Sequence, residues 1–107
     1  IHTEMLTTGF MHLIKSGAAN GKKKNTHVGK HVCCFALGTQ ELYDFIDNNP
    51  SVQILNGHYV NDPHIIGLND NQVSINTTIE IDLSFSNIIG QYFLLPHLFQ
   101  FFVFQWY

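Results

Sequence analysis

Arginine is missing from this 107-residue chain, and its five basic residues are all lysines set against eight carboxylates, for a formal net charge of −3. Phosphate contacts and base readout rest heavily on arginine, so this balance argues against a nucleic-acid binder. Cysteine is scarce too. The two that occur, Cys33 and Cys34, are neighbours in sequence. On a strand they face opposite sides, which rules out a CxxC metal or redox motif and makes a mutual disulfide unfavourable, so both are expected to be buried reduced thiols. Only 12% of the residues are charged, and none of these lies in residues 84–107.

Histidine is not scarce. The seven histidines (His2, His12, His27, His31, His58, His64 and His97) raise the question of a metal, but none stands in an HxxxH or HExxH arrangement on one helix face. His27 and His31 have the right separation, yet Gly29 between them points to a loop rather than a helix. No metal site is expected. The run Lys22-Lys23-Lys24 is the sole basic cluster, and a solvated loop is its expected setting. The opening residues are polar and lack a basic stretch followed by an apolar one, so no secretory leader is expected. The start reads as a cut into a longer chain.

Leu6, Phe10, Leu13 and Ile14 recur at helical spacing with Thr3 and Glu4 ahead of them, which predicts a helix over residues 4–16 ended by Gly17. In that setting Glu4 would sit at a helix N-terminus, where the partial positive charge stabilises a carboxylate. A polar Asn/Gly/Lys-rich loop follows over residues 18–29, then a buried strand over residues 31–37. Gly38 and a capping Thr39 open a second helix with Leu42, Tyr43, Phe45 and Ile46 as its apolar face, ended by Asn48-Asn49-Pro50. A short strand is expected over residues 52–55, a helical turn from Asn61-Asp62-Pro63, and a polar turn at Asn69-Asp70-Asn71. Strict alternation from Val73 through Ile75, Thr77, Ile79, Ile81 and Leu83 predicts an extended strand or hairpin. The rhythm of strand, glycine and helix is that of an α/β fold.

After Leu83 the composition changes. Six of the nine phenylalanines fall in the last 24 residues, 84–107. The length is enough to span a bilayer, but Asn87, Gln91, Pro96, His97, Gln100 and Gln105 are costly or disruptive at membrane depth, so insertion is disfavoured though left open for this tail. The other reading is translated sequence foreign to the fold.

Several stretches, taken in order, resemble one family. The opening Ile1-His2-Thr3-Glu4-Met5 is similar to the segment bearing the nucleophilic glutamate of acetyl-CoA hydrolases, acetate CoA-transferases and 4-hydroxybutyrate CoA-transferases. Leu42-Tyr43-Asp44-Phe45-Ile46-Asp47-Asn48-Asn49-Pro50 resembles the family's LYDFxDNNP run, and Tyr59-Val60-Asn61-Asp62-Pro63 its YVNDP. Asn69-Asp70-Asn71-Gln72-Val73-Ser74-Ile75-Asn76, with Ile81-Asp82-Leu83, resembles NDNxVSIN and the closing xDL. There are departures. Thr7-Thr8-Gly9 stands where the family usually has Ser-Asp-Gly, and Asn56-Gly57-His58 replaces a Val-Asp-type lead into YVNDP. The family's later Thr-Gly-Gln and GxGGQxDF segments are absent after Leu83.

The resemblance implies a fragment of an open-sheet α/β CoA-transferase-like fold. Residues 1–83 would open the C-terminal half of the parent catalytic domain, with 84–107 a hydrophobic tail outside the family. It implies Glu4 as the catalytic nucleophile, Asn76 as a substrate-binding residue beside it, and Gly38 either as the point where CoA approaches the backbone or as a strand-to-helix turn. Lys22, Lys23 and Lys24 would then have CoA phosphates as an alternative to solvent. The implied partners are acetyl-CoA or another short acyl-CoA and a carboxylate acceptor, with no cofactor beyond CoA, and the parent is expected to be a homo-oligomer. The implied activity is CoA transfer or acyl-CoA hydrolysis, with the fragment alone inactive. The alternative, from another class, is an inactive truncated product or membrane-seeking interaction fragment. Location is expected to be mitochondrial in a eukaryote and cytoplasmic otherwise.

Overall fold

The computed structural model describes residues 1–73 and Ile75. Three parallel strands form a sheet in the order β1 (His2–Thr7), β2 (His31–Leu37), β3 (Val52–Ile54). Between them run α1 (Thr8–Lys15) and α2 (Gln40–Ile46), and the short helices α3 (Gly57–Val60) and α4 (Pro63–Ile66) follow β3. The register pairs Thr3 with Cys33 and Met5 with Phe35 on one side, and Val32 with Gln53 on the other. Parallel strands need a crossover connection, and α1 and α2 supply it.

The opening differs from the sequence expectation. A strand runs through residues 2–7 and the helix begins only at Thr8. The apparent helical spacing from Leu6 to Phe10 spans the junction of the two elements, so the period belongs to neither. The strand exists because β2, some thirty residues on, offers a parallel edge, a long-range pairing that overrides local pattern. Shifting the helix also changes its buried side: Met11 is fully buried while Leu13 is 47% exposed. Gly17 does end the helix, at φ +79°, with its N–H on the Ile14 carbonyl at 3.0 Å.

Leu6, Met11, Cys33 and Leu42 form the centre of the core, with Phe10, Ile14, Ala36, Phe45, Ile46 and Val52 packed around them. Each such buried aliphatic side chain contributes about 1.5–3 kcal/mol relative to exposure. Tyr43, expected on the apolar face of α2, is instead 42% exposed, its hydroxyl accepting from the Gly38 N–H at 3.4 Å. Cys33 is buried as expected, whereas Cys34 is only partly covered, and both are free thiols.

The second expected cap is reorganised. Thr39 occupies the N-cap of α2, but its side chain makes no capping bond. Its hydroxyl lies 3.3 Å from that of Thr8, and its own N–H donates to the Thr8 hydroxyl at 3.1 Å. Gly38 is thereby explained by packing. A Cβ there would collide with Thr8 Oγ1, and would sit 2.9 Å from Leu42 Cδ2 and 3.2 Å from the Thr8 backbone nitrogen.

Loop 16–30 is pinned rather than free. Asn69, 8% exposed, accepts from the N–H groups of Asn25 (3.0 Å) and Thr26 (3.3 Å) and donates to the Thr26 hydroxyl at 3.2 Å. Lys24 also departs from the expected solvated setting: its ammonium donates to the carbonyls of Lys30 (3.1 Å) and Ile1 (3.4 Å), and burial lowers its pKa to about 8. Lys22 and Lys23 remain exposed. Asp62 caps α4 through the His64 N–H at 2.8 Å, with Pro63 at the first helical position, as the sequence indicated. Helix α3 was not anticipated, since four residues starting with glycine carry no periodic signal. Of the strand expected over residues 73–83 only Val73 and Ile75 are described, and the rest of it and the tail at 84–107 lie outside the described residues. No helix among the described residues is long and apolar enough to cross a membrane.

Candidate functional site

Glu4 lies in the middle of β1, not at a helix N-terminus. The correction changes its electrostatics. Helix α1 has no acidic residue in its first turn, and the influence anticipated for Glu4, a carboxylate stabilised by the helix dipole, is replaced by desolvation. Half-burial on the strand pushes the Glu4 pKa up, and a hydrogen bond with the Asn61 side chain pulls it part of the way back. Glu4 is thus a carboxylate that has shed part of its water and gained one fixed polar partner.

Parallel pairing places the partner surface. Glu4 falls between the pairs Thr3–Cys33 and Met5–Phe35, which sets Cys34 opposite it on β2. The Glu4 charge contributes to raising the Cys34 pKa, after desolvation as the larger cause. Helix α3 covers this patch. A Cβ on Gly57 would stand 3.8 Å from Cys34 Sγ, and the Val60 carbonyl accepts from His2 Nε2 at 2.6 Å. His2 is two residues before Glu4, on the same side of the strand. Its Nδ1 is buried without a hydrogen-bond partner, and burial foremost lowers its pKa, so the ring is held neutral with the proton on Nε2.

Asn61 follows α3 directly and serves as its C-cap, with its N–H on the Gly57 carbonyl at 2.9 Å. An open recess of ≈ 400 Å³ is lined by Asn56, Gly57, His58 and Asn61. The arrangement joins a partly desolvated carboxylate to one side-chain amide, and that amide's residue also lines the recess, whose lining does not include Glu4 itself; a partly desolvated, ionisable carboxylate is the group a covalent acyl transfer needs. A larger cavity of ≈ 570 Å³ is lined by His2, Lys22, Lys23, Lys24 and Asn69, among others, and does not include Glu4.

Of the residues singled out from sequence, Glu4 belongs to this site. Gly38 stands at the junction of β2 with α2, against Thr8 and Leu42, and Asn76 lies outside the described residues. Asn61 was missed as a site residue. Its signal was present in Asn61-Asp62-Pro63: Asp62 is consumed by the cap of α4, which leaves the preceding asparagine amide for another partner. Among the described residues no group of three or more His, Cys, Asp or Glu side chains is placed to hold a metal ion.

Comparison with known proteins follows the same line. Residues 38–91 match the acetyl-CoA hydrolase/transferase C-terminal domain. The chain is 54% identical over 83 residues to a succinyl-CoA:cyclohexane-1-carboxylate CoA transferase of Geobacter metallireducens, and 51% identical over 83 residues to a 4-hydroxybutyrate coenzyme A transferase of Clostridium kluyveri. Each alignment covers 78% of this chain and 19% of the relative, so the chain spans about a fifth of their length. The crystal structure of a 4-hydroxybutyrate CoA-transferase from Porphyromonas gingivalis superposes with a TM-score of 0.73 at 49% identity, over 77% of this chain and 21% of that one. The three-stranded parallel sheet with its crossover helices is therefore a CoA-transferase α/β fragment, and the chain belongs to the acetyl-CoA hydrolase/transferase family.

Proposed function

We propose that this chain carries the nucleophile of a CoA-transferase or acyl-CoA hydrolase acting on acetyl-CoA or a similar short acyl-CoA, with Glu4 forming a glutamyl-CoA thioester. The observation that carries the reading is the half-buried Glu4 carboxylate on β1, partly desolvated and with the Asn61 side chain as its polar neighbour. Support also comes from the relatives, which are named as CoA transferases for different acids.

The chemistry needs no group beyond CoA. One Glu4 oxygen attacks the thioester carbonyl, the C–S bond breaks, and CoA leaves as thiolate, giving a mixed anhydride of Glu4 and the acyl group. The thiolate attacks the Glu4 carbonyl and releases the first acid as carboxylate, leaving CoA on Glu4. An acceptor carboxylate then runs the two steps in reverse, regenerating Glu4 and a new acyl-CoA. Water in place of the acceptor yields hydrolysis, so transfer and hydrolysis differ by water access rather than by nucleophile. Desolvation raises the energy of the Glu4 carboxylate in the ground state, while the Asn61 donor favours its ionised form. Asn76 is proposed to orient the carboxylate or substrate from the segment beyond the described residues.

The test is covalent trapping. The complete polypeptide containing these residues, incubated with acetyl-CoA and analysed by mass spectrometry, should carry CoA on the peptide with Glu4, and Glu4→Gln should lose both adduct and turnover. An undiminished adduct in Glu4→Gln would remove Glu4 from the role.

A further inference from the structure

Helix α3 is four residues long, far below the length at which a helix holds itself together in water. Its position is therefore set by the bonds that reach it from elsewhere, and these come from β1 and from the loop before β2. From within the fold, His2 Nε2 donates to the Val60 carbonyl at 2.6 Å, and Val60 is 1% exposed. From the loop side, the Tyr59 hydroxyl meets His27 Nε2 at 2.7 Å, with the two rings edge to face at 5.6 Å and 83°. The other nitrogen of His27 is also engaged: Nδ1 donates to Gln53 Oε1 at 2.6 Å. Gln53 lies on β3, in register with Val32 of the central strand. In this tautomer Nε2 is the acceptor and the Tyr59 hydroxyl the donor. His27 thus bridges the sheet to α3. It does so from φ +50°, a left-handed conformation uncommon outside glycine, in a loop that Asn69 ties down through Asn25 and Thr26.

The consequence runs to the carboxylate. Asn61 is the next residue after α3 and is bonded back to it through the Gly57 carbonyl at 2.9 Å, so a rotation or lift of α3 moves the Asn61 amide. We propose that His27 and Tyr59 are positioning residues whose hydrogen bond clasps α3 from the loop side and so keeps the Asn61 side chain beside the Glu4 carboxylate. This inference rests on the reading of Glu4 as the nucleophile for its functional meaning, while the clasp itself is a matter of geometry and is tested without turnover.

The experiment follows the Glu4 carboxyl directly. The complete polypeptide is labelled with 13C at the glutamate side-chain carboxyl, the Glu4 signal is assigned by its loss in Glu4→Gln, and its titration is recorded by NMR. Tyr59→Phe removes only the hydroxyl and keeps the ring. His27→Asn removes the reach to Tyr59 with a residue that tolerates left-handed φ. Both variants should raise the Glu4 midpoint toward the value found in Asn61→Ala, and neither should move it further when combined with Asn61→Ala. An unmoved midpoint in both variants would overturn the clasp. So would an equal shift in the Asn61→Ala background, since the effect would then bypass Asn61. The CoA adduct is scored separately on the wild-type protein: its absence would count against the nucleophile, whereas its presence with an unmoved titration would count against the clasp alone.

Discussion

Asn61, the C-cap of α3, is the polar side-chain neighbour of Glu4 on β1, so the covering helix and the strand that bears the proposed nucleophile meet through an amide and a carboxyl. The two effects on Glu4 oppose each other. Desolvation, the larger, favours the protonated acid, and the amide favours the carboxylate. A nucleophilic carboxylate must be ionised and yet poorly solvated, and this pairing serves both requirements.

Removing the amide should leave desolvation unopposed. In Asn61→Ala the Glu4 pKa rises, the ionised fraction falls on the acid side, and the acid limb of kcat/KM moves to higher pH. Hydrogen bonds to charged groups contribute about 1.5–3 kcal/mol when buried, and partial solvent exposure lowers this, so a loss of up to roughly tenfold in kcat/KM is expected on the acid limb, with the plateau above it retained. A pH–rate profile identical to wild type would show that Asn61 does not act on the ionised carboxylate.

Gly38→Ala separates packing from ligand binding. The new methyl meets Thr8 Oγ1, which a side-chain rotation can relieve, but also the Thr8 backbone nitrogen at 3.2 Å, which it cannot. Overpacking of this kind costs about 1–3 kcal/mol. The expected result is a lower Tm with KM for acyl-CoA unchanged below the transition. A raised KM at undiminished stability would instead assign Gly38 to CoA approach.

The sequence revealed the α/β rhythm because its punctuation is local. Gly17 ends α1 through its left-handed φ, and Asp62 with Pro63 opens α4 through its own cap, whereas Gly38-Thr39 marks the turn from β2 to α2 in sequence but is fixed by its packing against Thr8. What it concealed depends on distant partners. The strand at residues 2–7 exists through pairing with β2, and its periodicity merges with that of α1. The contact of Asn61 with Glu4 and the bonds of Asn69 to Asn25 and Thr26 join segments far apart in sequence, so no local pattern marks them. The Asn69-Asp70-Asn71 turn was visible as a turn, but not as the anchor of the lysine loop.

His31 should make stability depend on pH. Burial foremost, with the positive charge of Lys24 acting the same way, lowers its pKa to about 4 from 6.5. The unfolded chain therefore binds more protons than the folded one between these values, and stability falls as pH drops from about 6.5 to about 4, then levels off with respect to this group. Urea midpoints measured across that range should decline for wild type and decline less steeply for His31→Gln. Equal slopes would show that His31 is not the group responsible.

The paired cysteines offer a readout of the Glu4 charge. Cys33 is fully buried, with its pKa pushed up to about 11 by desolvation foremost, so it should resist alkylation in the folded protein. Cys34 is partly exposed, and its thiol is disfavoured as thiolate by desolvation and then by the Glu4 carboxylate opposite it. Since the thiolate is the reacting form, Cys34 should label slowly at mildly alkaline pH, and ahead of Cys33. Glu4→Gln removes the negative charge while keeping the shape of the side chain, so it should lower the Cys34 pKa and speed its labelling by iodoacetamide, with Cys33 unaffected. Faster labelling of both cysteines would indicate that the variant had loosened the fold. Faster labelling of Cys34 alone would place the ionised Glu4 carboxylate across β1 and β2 from it, as the register of the two strands requires.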